Sequence, residues 1–234
     1  MTATLSVVIP AYNEERFIGT LLERIRAVDL TPLGLSKEII VIDDGSRDRT
    51  VEIASAVADV RVHRMPKNGG KGQAVRAGIG LATGEYLIIQ DADLEYDPQD
   101  YIPMIQALQA NRGDVVYGSR YLGRGRHEKQ SLAAYLGGRS LSLVALLFTG
   151  TYLTDTVTAY KLFRRRDLSG VTLETSGFEL DHEITARLLA RGLRIVEVPI
   201  AYHPRSRKEG KKIGARDWFT AIRTFARYRR RSGR

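Results

Sequence analysis

Short apolar runs alternate with stretches of helical spacing through the first half of the chain. The runs, together with VRVHR at 60–64, predict five strands, at residues 5–10, 38–43, 60–64, 85–90 and 114–119. The stretches between them predict helices that end near residues 28, 58, 82 and 109. Asn13 is expected to cap the first helix, and Asp97, followed by Pro98, the last of them. Strands that alternate with helices predict an α/β fold, with a Rossmann-like, mostly parallel sheet and helices on both faces.

Four of the predicted strands run into polar residues, and in an open α/β sheet ligands bind beyond the carboxyl ends of the strands. The polar segments are PAYNE at 10–14, DDGS at 43–46, DADLE at 91–95 and GSR at 118–120. Carboxylates gathered at one edge repel one another unless a cation lies among them, and oxygen ligands suit Mg²⁺ or Mn²⁺ together with substrate phosphate. The pattern therefore predicts a metal–phosphate site, although the same residue types also form turns and helix caps.

A glycine-rich segment, KNGGKG at 67–72, leads into the third predicted helix. It does not satisfy the G-x-x-x-x-G-K-[ST] pattern of a phosphate-binding P-loop. A glycine-rich turn at a helix N-terminus can still bind an anion through its amide groups, and Lys71 would then face a phosphate. The alternative is an ordinary turn whose glycines adopt positive φ and whose lysine is solvated.

The basic charge of the chain is concentrated at its C-terminal end. Residues 205–234 contain 12 Lys or Arg and 2 acidic residues, whereas the rest of the chain has a net charge of −1. Such a segment is either a solvated tail or an attachment to an anionic surface. The chain has no cysteine, which excludes disulfides and thiolate metal sites. It shows neither a signal peptide at its start nor an apolar run of about 18 residues, so we expect a cytoplasmic protein.

Two segments have the composition of helices that lie at a membrane surface. Residues 131–153 are apolar with Gly and Ser interruptions, and suit a helical pair that guides a lipid. Residues 213–230 combine an apolar stripe around Trp218 with several arginines, as in a basic amphipathic helix. Ordinary core helices, or packing of the second stripe on the sheet of the protein itself, remain the alternatives. Residues 1–204 are thus expected to form the main domain, followed by a basic loop and helix over 205–234.

Several motifs taken together resemble the family 2 glycosyltransferases, which have the GT-A fold that binds nucleotide-diphosphate sugars. The motifs are VVIPAYNEE at 7–15, VIDDGSRDRT at 41–50, KNGGKGQAVRAG at 67–78, QDADLEYDP at 90–98, VYGSRY at 116–121, TDTVTAYKLFRR at 154–165, GFELDHEI at 177–184 and EVPIAYHPRSRKEGKKI at 197–213. Within the family they look most like the dolichyl- or polyprenyl-phosphate mannose or glucose synthases. The resemblance covers residues 4–213.

The resemblance implies a site for the donor nucleotide and for a divalent cation. The donor-binding residues that it implies are Pro10, Tyr12, Glu14, Asp43, Asp44, Ser46, Gly70, Lys71, Asp91 and Ala92. Asp93 and Glu95 would bind Mg²⁺ or Mn²⁺, and Asp91, Asp93 and Arg120 would be catalytic. Relatives often carry Gln where this chain has Glu95, which puts the preferred metal in doubt more than metal binding. Glu179, Asp181 and Glu183 match a family motif either as a helix cap or as sugar contacts.

The acceptor implied by the resemblance is a polyprenyl or dolichyl phosphate. Its phosphate would be bound by Arg120, Arg139, Arg205 and Lys211. The implied reaction is an inverting, metal-dependent transfer of a hexose from GDP-mannose or UDP-glucose to that lipid. A phosphate is already ionised near pH 7, so the reaction needs no strong general base.

The expected partners besides the donor and the lipid are an anionic membrane surface or an integral membrane protein, met from the cytoplasmic face. Two other functions stay open: a family 2 enzyme with a polysaccharide or small polar acceptor, and a non-catalytic basic protein that associates with membranes. We expect no nucleic acid partner, because the basic segments show no helix-turn-helix or RNP-like pattern.

Overall fold

The computed structural model describes residues 3–122, 132–204 and 215–228. Over these residues the strands are β1 (Ala3–Ala11), β2 (Leu35–Asp43), β3 (Val60–Arg64), β4 (Tyr86–Ile89), β5 (Val115–Ser119), β6 (Lys161–Arg164) and β7 (Ile195–Pro199). The helices are α1 (Ile18–Ala27), α2 (Thr50–Ser55), α3 (Lys71–Leu81), α4 (Tyr101–Gln109), α5 (Leu132–Thr149), α6 (Leu180–Ala190) and α7 (Ala215–Tyr228). All five strands expected from the sequence are present.

The strands form a mixed sheet of order β3-β2-β1-β4-β6-β5-β7. Its centre is in register through apolar residues, because Val8 of β1 pairs with Ile40 of β2 and Ile89 of β4. Only β6, among the described strands, runs antiparallel to its neighbours, β4 and β5. The parallel strands therefore end at one edge of the sheet, where β6 begins. This edge, called the C-terminal edge below, brings the polar segments of the sequence together.

Two apolar layers cover the faces of the sheet. One layer packs α1, α2 and α4 against the sheet, and Met104 and Leu22 are completely buried in it. The other packs α3 and α6 against the opposite face, around Val75 and Ile184. Helices α5 and α7 lie outside α6 and share a small cluster with it. The α/β class with a mostly parallel sheet and helices on both faces is thus confirmed.

The helix starts show one wrong prediction and one correct one. Asn13 does not cap α1, which begins five residues later at Ile18. Its backbone instead adopts a left-handed conformation with φ of 55°, and its side-chain oxygen accepts a hydrogen bond of 2.9 Å from the backbone N–H of Arg47. Asn tolerates this conformation better than most residues. Asp97 does cap the turn that leads into α4, since its carboxylate accepts a 3.0 Å hydrogen bond from the N–H of Gln99.

The two proposed membrane segments also differ from expectation. Over residues 132–149 the first is a single helix, α5, and not a helical pair. The apolar side of α7 packs on α5 and α6 rather than on the sheet, with Phe225 completely buried beside Ala145 and Ala186. The indole N–H of Trp218 donates a 2.8 Å hydrogen bond to the Ser140 hydroxyl on α5. Among the described residues, no helix has the length and apolar character needed to cross a bilayer.

Candidate active site

The end of β2 holds the glycine-rich loop in place. The carboxylate of Asp44 accepts hydrogen bonds of 2.8 Å from the backbone N–H groups of both Gly69 and Gly70. Gly70 has φ of 89°, and a Cβ atom there would lie 2.5 Å from the carbonyl oxygen of Ser176, so only glycine fits. Two amides of this loop that could have received a phosphate thus bind Asp44 instead.

Beside this loop, the end of β1 lines the same part of the edge. Tyr12 and Glu14 are half-buried there. The Ser46 hydroxyl accepts a 2.9 Å hydrogen bond from the backbone N–H of Asn13, which ties the ends of β1 and β2 together. Asp43 is completely buried and accepts hydrogen bonds of 3.2 Å from the N–H of Ser46. The structure therefore gathers the residues expected to bind a nucleotide; of that set, Pro10 and Ala92 are also at strand ends on this edge.

Lys71, the first residue of α3, lies between two carboxylates. Its ammonium nitrogen is 2.8 Å from Asp91, which follows β4, and 3.3 Å from Asp181 on α6. Asp181 also accepts from the ammonium of Lys161, at 2.8 Å. Burial would raise the pKa of Asp181, but the charges of Lys161 and Lys71 outweigh it and lower this pKa to about 2. Burial likewise opposes the charge of Lys71, yet Asp181 and Asp91 raise its pKa above the usual value.

The expected metal ligands follow β4 on one tight turn. The carboxylate of Asp93 accepts a 3.0 Å hydrogen bond from the N–H of Glu95, and that of Glu95 accepts a 3.1 Å hydrogen bond from the hydroxyl of Tyr202. Within the described residues, no group of three or more acidic, His or Cys side chains could enclose a metal ion. Two carboxylates nevertheless fit Mg²⁺, which is usually held by one or two carboxylates, water and substrate phosphates.

Arg120, which follows β5, is fixed by an acidic residue that the sequence did not single out. Its guanidinium donates to both carboxylate oxygens of the buried Asp155, at 2.6 and 2.7 Å. Burial opposes the charge of Arg120, but Asp155 raises its pKa further above the usual value. The guanidinium also lies over the ring of Tyr202, 5.1 Å from its centre. Glu197 on β7 fixes the other side of this turn, because it accepts from the backbone N–H groups of Thr154 and Asp155.

Arg139 lies on α5 next to a row of exposed leucines. Its guanidinium donates to the carbonyl oxygen of Thr154 at 3.1 Å and to the hydroxyl of Tyr152. The exposed leucines of α5 are Leu132, Leu136, Leu143 and Leu147. At about 100° per residue, they and Arg139 fall on one side of the helix. We call this side of α5 the leucine stripe. Arg205 and Lys211, the other two residues expected to bind the acceptor phosphate, lie outside the described residues.

Sequence reasoning missed Lys161, Asp155, Glu197 and Tyr202, and left Asp181 as a cap or sugar contact. Lys161 carried a usable signal, because a lysine in the apolar run AYKLF has no solvated face in a central strand. Such a lysine requires a buried carboxylate, which the sequence alone does not identify. Asp181 takes that role, so the structure does not use it as a free helix cap.

Known proteins resemble this chain in sequence and in structure. The model of the family "Glycosyl transferase family 2" matches residues 6–170. A dolichol-phosphate mannosyltransferase of Pyrococcus furiosus is 33% identical over 90% of this chain and 59% of its own length. An undecaprenyl-phosphate 4-deoxy-4-formamido-L-arabinose transferase of Pectobacterium carotovorum is 34% identical over 71% of this chain and 50% of its own. The chain thus spans between half and three fifths of the length of these two relatives.

A glucosyl-3-phosphoglycerate synthase of Mycobacterium tuberculosis, crystallised with UDP, has the same fold. Its TM-score is 0.74 at 22% identity, over 97% of this chain and 80% of its own.

Proposed function

The chain belongs to glycosyl transferase family 2, and we propose that it transfers a hexose from a nucleotide-diphosphate sugar to a polyprenyl phosphate. The observation that carries the choice of acceptor is the leucine stripe with Arg139 inside it. An exposed row of large apolar residues is unusual on a protein surface, and here it runs beside a guanidinium at the C-terminal edge. This pairing suits an acceptor with an apolar chain and a charged head.

The dimensions of the stripe agree with a lipid chain. Leu132 and Leu147 are fifteen residues apart on α5, which corresponds to about 22 Å along the helix axis. Leu147 is 82% exposed, so burying it against lipid would stabilise the contact. The names of the Pyrococcus and Pectobacterium relatives, which act on dolichol phosphate and undecaprenyl phosphate, support the same class of acceptor. We place the reaction at the cytoplasmic face of a membrane, which an anionic surface or an integral membrane partner would provide.

The donor binds at the other side of the C-terminal edge. Tyr12, Glu14 and the ends of β1 and β2 would hold the nucleoside, and Lys71 would meet the diphosphate. Asp93 and Glu95 would hold Mg²⁺ or Mn²⁺, which supplies positive charge to the departing nucleoside diphosphate. The nucleotide is GDP or UDP, and the sugar mannose or glucose, as in the group of enzymes that the motifs resemble.

The reaction itself is a displacement at the anomeric carbon. An oxygen of the acceptor phosphate forms a bond to C1 of the sugar while the bond from C1 to the nucleoside diphosphate breaks, which inverts the configuration. Arg120 and Arg139 would orient the acceptor phosphate for this attack. No proton has to be removed, because a phosphate monoester is ionised near pH 7. Asp181, whose pKa is lowered to about 2 between two lysines, is accordingly a poor general base.

The test is a transfer assay with the purified chain, Mg²⁺ or Mn²⁺, polyprenyl phosphate and radiolabelled GDP-mannose or UDP-glucose. Label should move into the organic phase with one donor and be lost in the Asp93→Ala variant. Arg139→Gln should raise the KM for the lipid, whereas Arg24→Gln, an exposed arginine on α1, should not. Release of nucleoside diphosphate without a lipid product would point to a polysaccharide or small polar acceptor. No turnover of either donor would favour a non-catalytic membrane-associated protein.

A further inference from the structure

Four charged side chains of alternating sign form a line that leads inward from the C-terminal edge. Asp91 is half-buried at the outer end, and Lys71, Asp181 and Lys161 follow it. The inner end is completely buried, because Lys161 has no exposed surface at all. Lys161 therefore cannot touch a substrate, and any effect that it has on the reaction must act through its neighbours.

The fold uses a charged group at the position of Lys161 although burial of an ammonium is costly. Its nitrogen donates to the carbonyl oxygen of Thr158 and to Asp181, and lies over the ring of Tyr117 at 5.0 Å. A methionine would fill the same space in the apolar layer without this cost. The charge of Lys161 thus calls for a reason beyond packing.

The distances around Asp181 suggest that reason. One carboxylate oxygen lies 2.8 Å from Lys161, and the other lies 3.3 Å from Lys71. Lys71 makes its shorter contact, 2.8 Å, with Asp91 at the outer end of the line. Asp181 is thus shared between two ammonium groups and lies closer to Lys161 than to Lys71. Lys71 in turn lies closer to Asp91, at the outer end, than to Asp181.

We infer that Lys161 is a positioning residue for the diphosphate of the donor, an inference that rests on the proposed function. By sharing Asp181, it sets how much of the positive charge of Lys71 is available to the donor. Without the charge of Lys161, Lys71 would be the lysine left in contact with Asp181 among the described residues, and Asp181 would draw it inward. Removing the charges of both Lys161 and Asp181 would release Lys71 again.

We therefore expect the loss of nucleotide affinity caused by substituting Lys161 to be reversed when Asp181 is substituted as well. Lys161→Met should weaken the binding of nucleoside diphosphate roughly tenfold, the scale of one charge-assisted hydrogen bond. The double variant Lys161→Met/Asp181→Asn should return to the affinity of the wild type or exceed it. Lys71→Met should remain weak with or without these changes. A purely structural role of Lys161 predicts instead that Lys161→Met lowers the fraction of binding-competent protein, seen as the calorimetric stoichiometry, while the affinity of that fraction stays at the wild-type value.

The experiment is a calorimetric titration of GDP and of UDP, each with Mg²⁺ and without any lipid, so that it does not depend on the acceptor. Lys37→Met is the matched control, because Lys37 is a partly buried lysine on β2 whose ammonium binds backbone carbonyl groups. It should leave the affinity unchanged. Loss in Lys161→Met with recovery in the double variant supports the inference.

Three results overturn it. The first is a double variant that binds as weakly as Lys71→Met, a comparison that stands even when Lys161→Met alone fails to fold. The second is equal affinity of the wild type and all variants, which refutes the role of Lys161 and Lys71 but leaves the proposed transferase activity standing. The third is a wild type that binds neither GDP nor UDP, which removes the proposed donor and this inference together.

Discussion

Arg120 and Asp155 form a two-point ion pair in which Nε and Nη2 of the guanidinium lie 2.6 and 2.7 Å from separate carboxylate oxygens. The backbone N–H of Arg120 donates to the same carboxylate at 3.1 Å. The pair links the end of β5 to the turn before the antiparallel strand β6. It therefore fixes the orientation of the arginine that we expect to meet the acceptor phosphate.

Removing the charge of Asp155 should destabilise the protein. Asp155→Asn removes the carboxylate charge from the two-point contact with Arg120, whose side chain is only 11% exposed, and we expect the free energy of unfolding to fall by about 3 kcal/mol. The matched control is Glu52→Gln, because Arg49 and Glu52 form the same two-point contact at 3.0 and 2.7 Å but are 68% and 64% exposed. That change should cost less than about 1 kcal/mol. If urea unfolding gives equal losses of free energy for Asp155→Asn and Glu52→Gln, burial of the Arg120–Asp155 pair does not determine its contribution to stability.

Glu95 should tune the affinity for the metal through its charge. Glu95→Gln keeps an oxygen that can accept from Tyr202 but loses the negative charge. We expect a several-fold higher Mg²⁺ or Mn²⁺ concentration for half-maximal nucleotide binding. Tyr202→Phe removes the hydrogen bond and leaves the charge, so its metal dependence should stay close to that of the wild type. If Tyr202→Phe alone changes the metal concentration for half-maximal nucleotide binding, the hydroxyl of Tyr202 and not the charge of Glu95 governs the affinity for the metal.

The leucine stripe should carry membrane binding. Leu147→Glu places a charge where we expect lipid contact, and should reduce co-sedimentation with vesicles that contain phosphatidylglycerol about tenfold. Gln106→Glu is the control, since Gln106 is exposed on α4 at the opposite face of the sheet and the net charge changes equally. If both variants lose binding to the same extent, the overall charge drives association and the stripe does not.

Much of the fold was predictable from the sequence because its first half follows simple periodicity. The strands through residue 119, apart from VRVHR of β3, are apolar runs, so the sheet and the polar ends of its strands could be expected. Strand β6 was hidden, since its four residues, Lys161–Arg164, begin and end with a charge. Burial of both charges depends on partners remote in sequence: Asp181 for Lys161, and the carbonyl oxygen of Leu108 for Arg164.

The candidate site was predictable as a set of positions but not as a network. Local spacing indicated Asp93 and Glu95, because both follow one strand. The partners of Lys71 and Arg120 were not indicated, since Asp181 and Asp155 come from later segments, one after β6 and one before it, that reach the edge only in the folded chain. Their roles follow from tertiary contacts, which no pattern along the chain encodes.

The Asp181 carboxylate should make stability depend on acid pH. Its pKa in the folded protein is lowered to about 2, so its contribution to stability is complete above its ordinary pKa and is lost as the pH falls from about 4 toward 2. We expect this contribution of Asp181 to the free energy of unfolding to be on the order of 2 kcal/mol. The difference in the free energy of unfolding between wild type and Lys161→Met/Asp181→Asn, measured by urea unfolding, should therefore narrow as the pH falls from about 4 toward 2. A constant difference would mean that Asp181 is not ionised between its two lysines.

Glu174 should hold the end of α7 against α6. Its carboxylate forms an ion pair with the guanidinium of Arg187 at 2.8 Å, and it accepts hydrogen bonds of 2.9 Å from Arg227 and from the hydroxyl of Tyr228. The guanidiniums of Arg187 and Arg227 also lie over the Tyr228 ring, 4.2 and 5.2 Å from its centre. Glu174→Gln weakens both ion pairs at once, so amide hydrogen exchange in the last turn of α7 should accelerate roughly tenfold while α1 stays unchanged. Glu23→Gln, on exposed α1 surface, should have no effect on α7. Equal exchange in Glu174→Gln and wild type would show that the apolar contacts of Phe225 hold this helix without the charges.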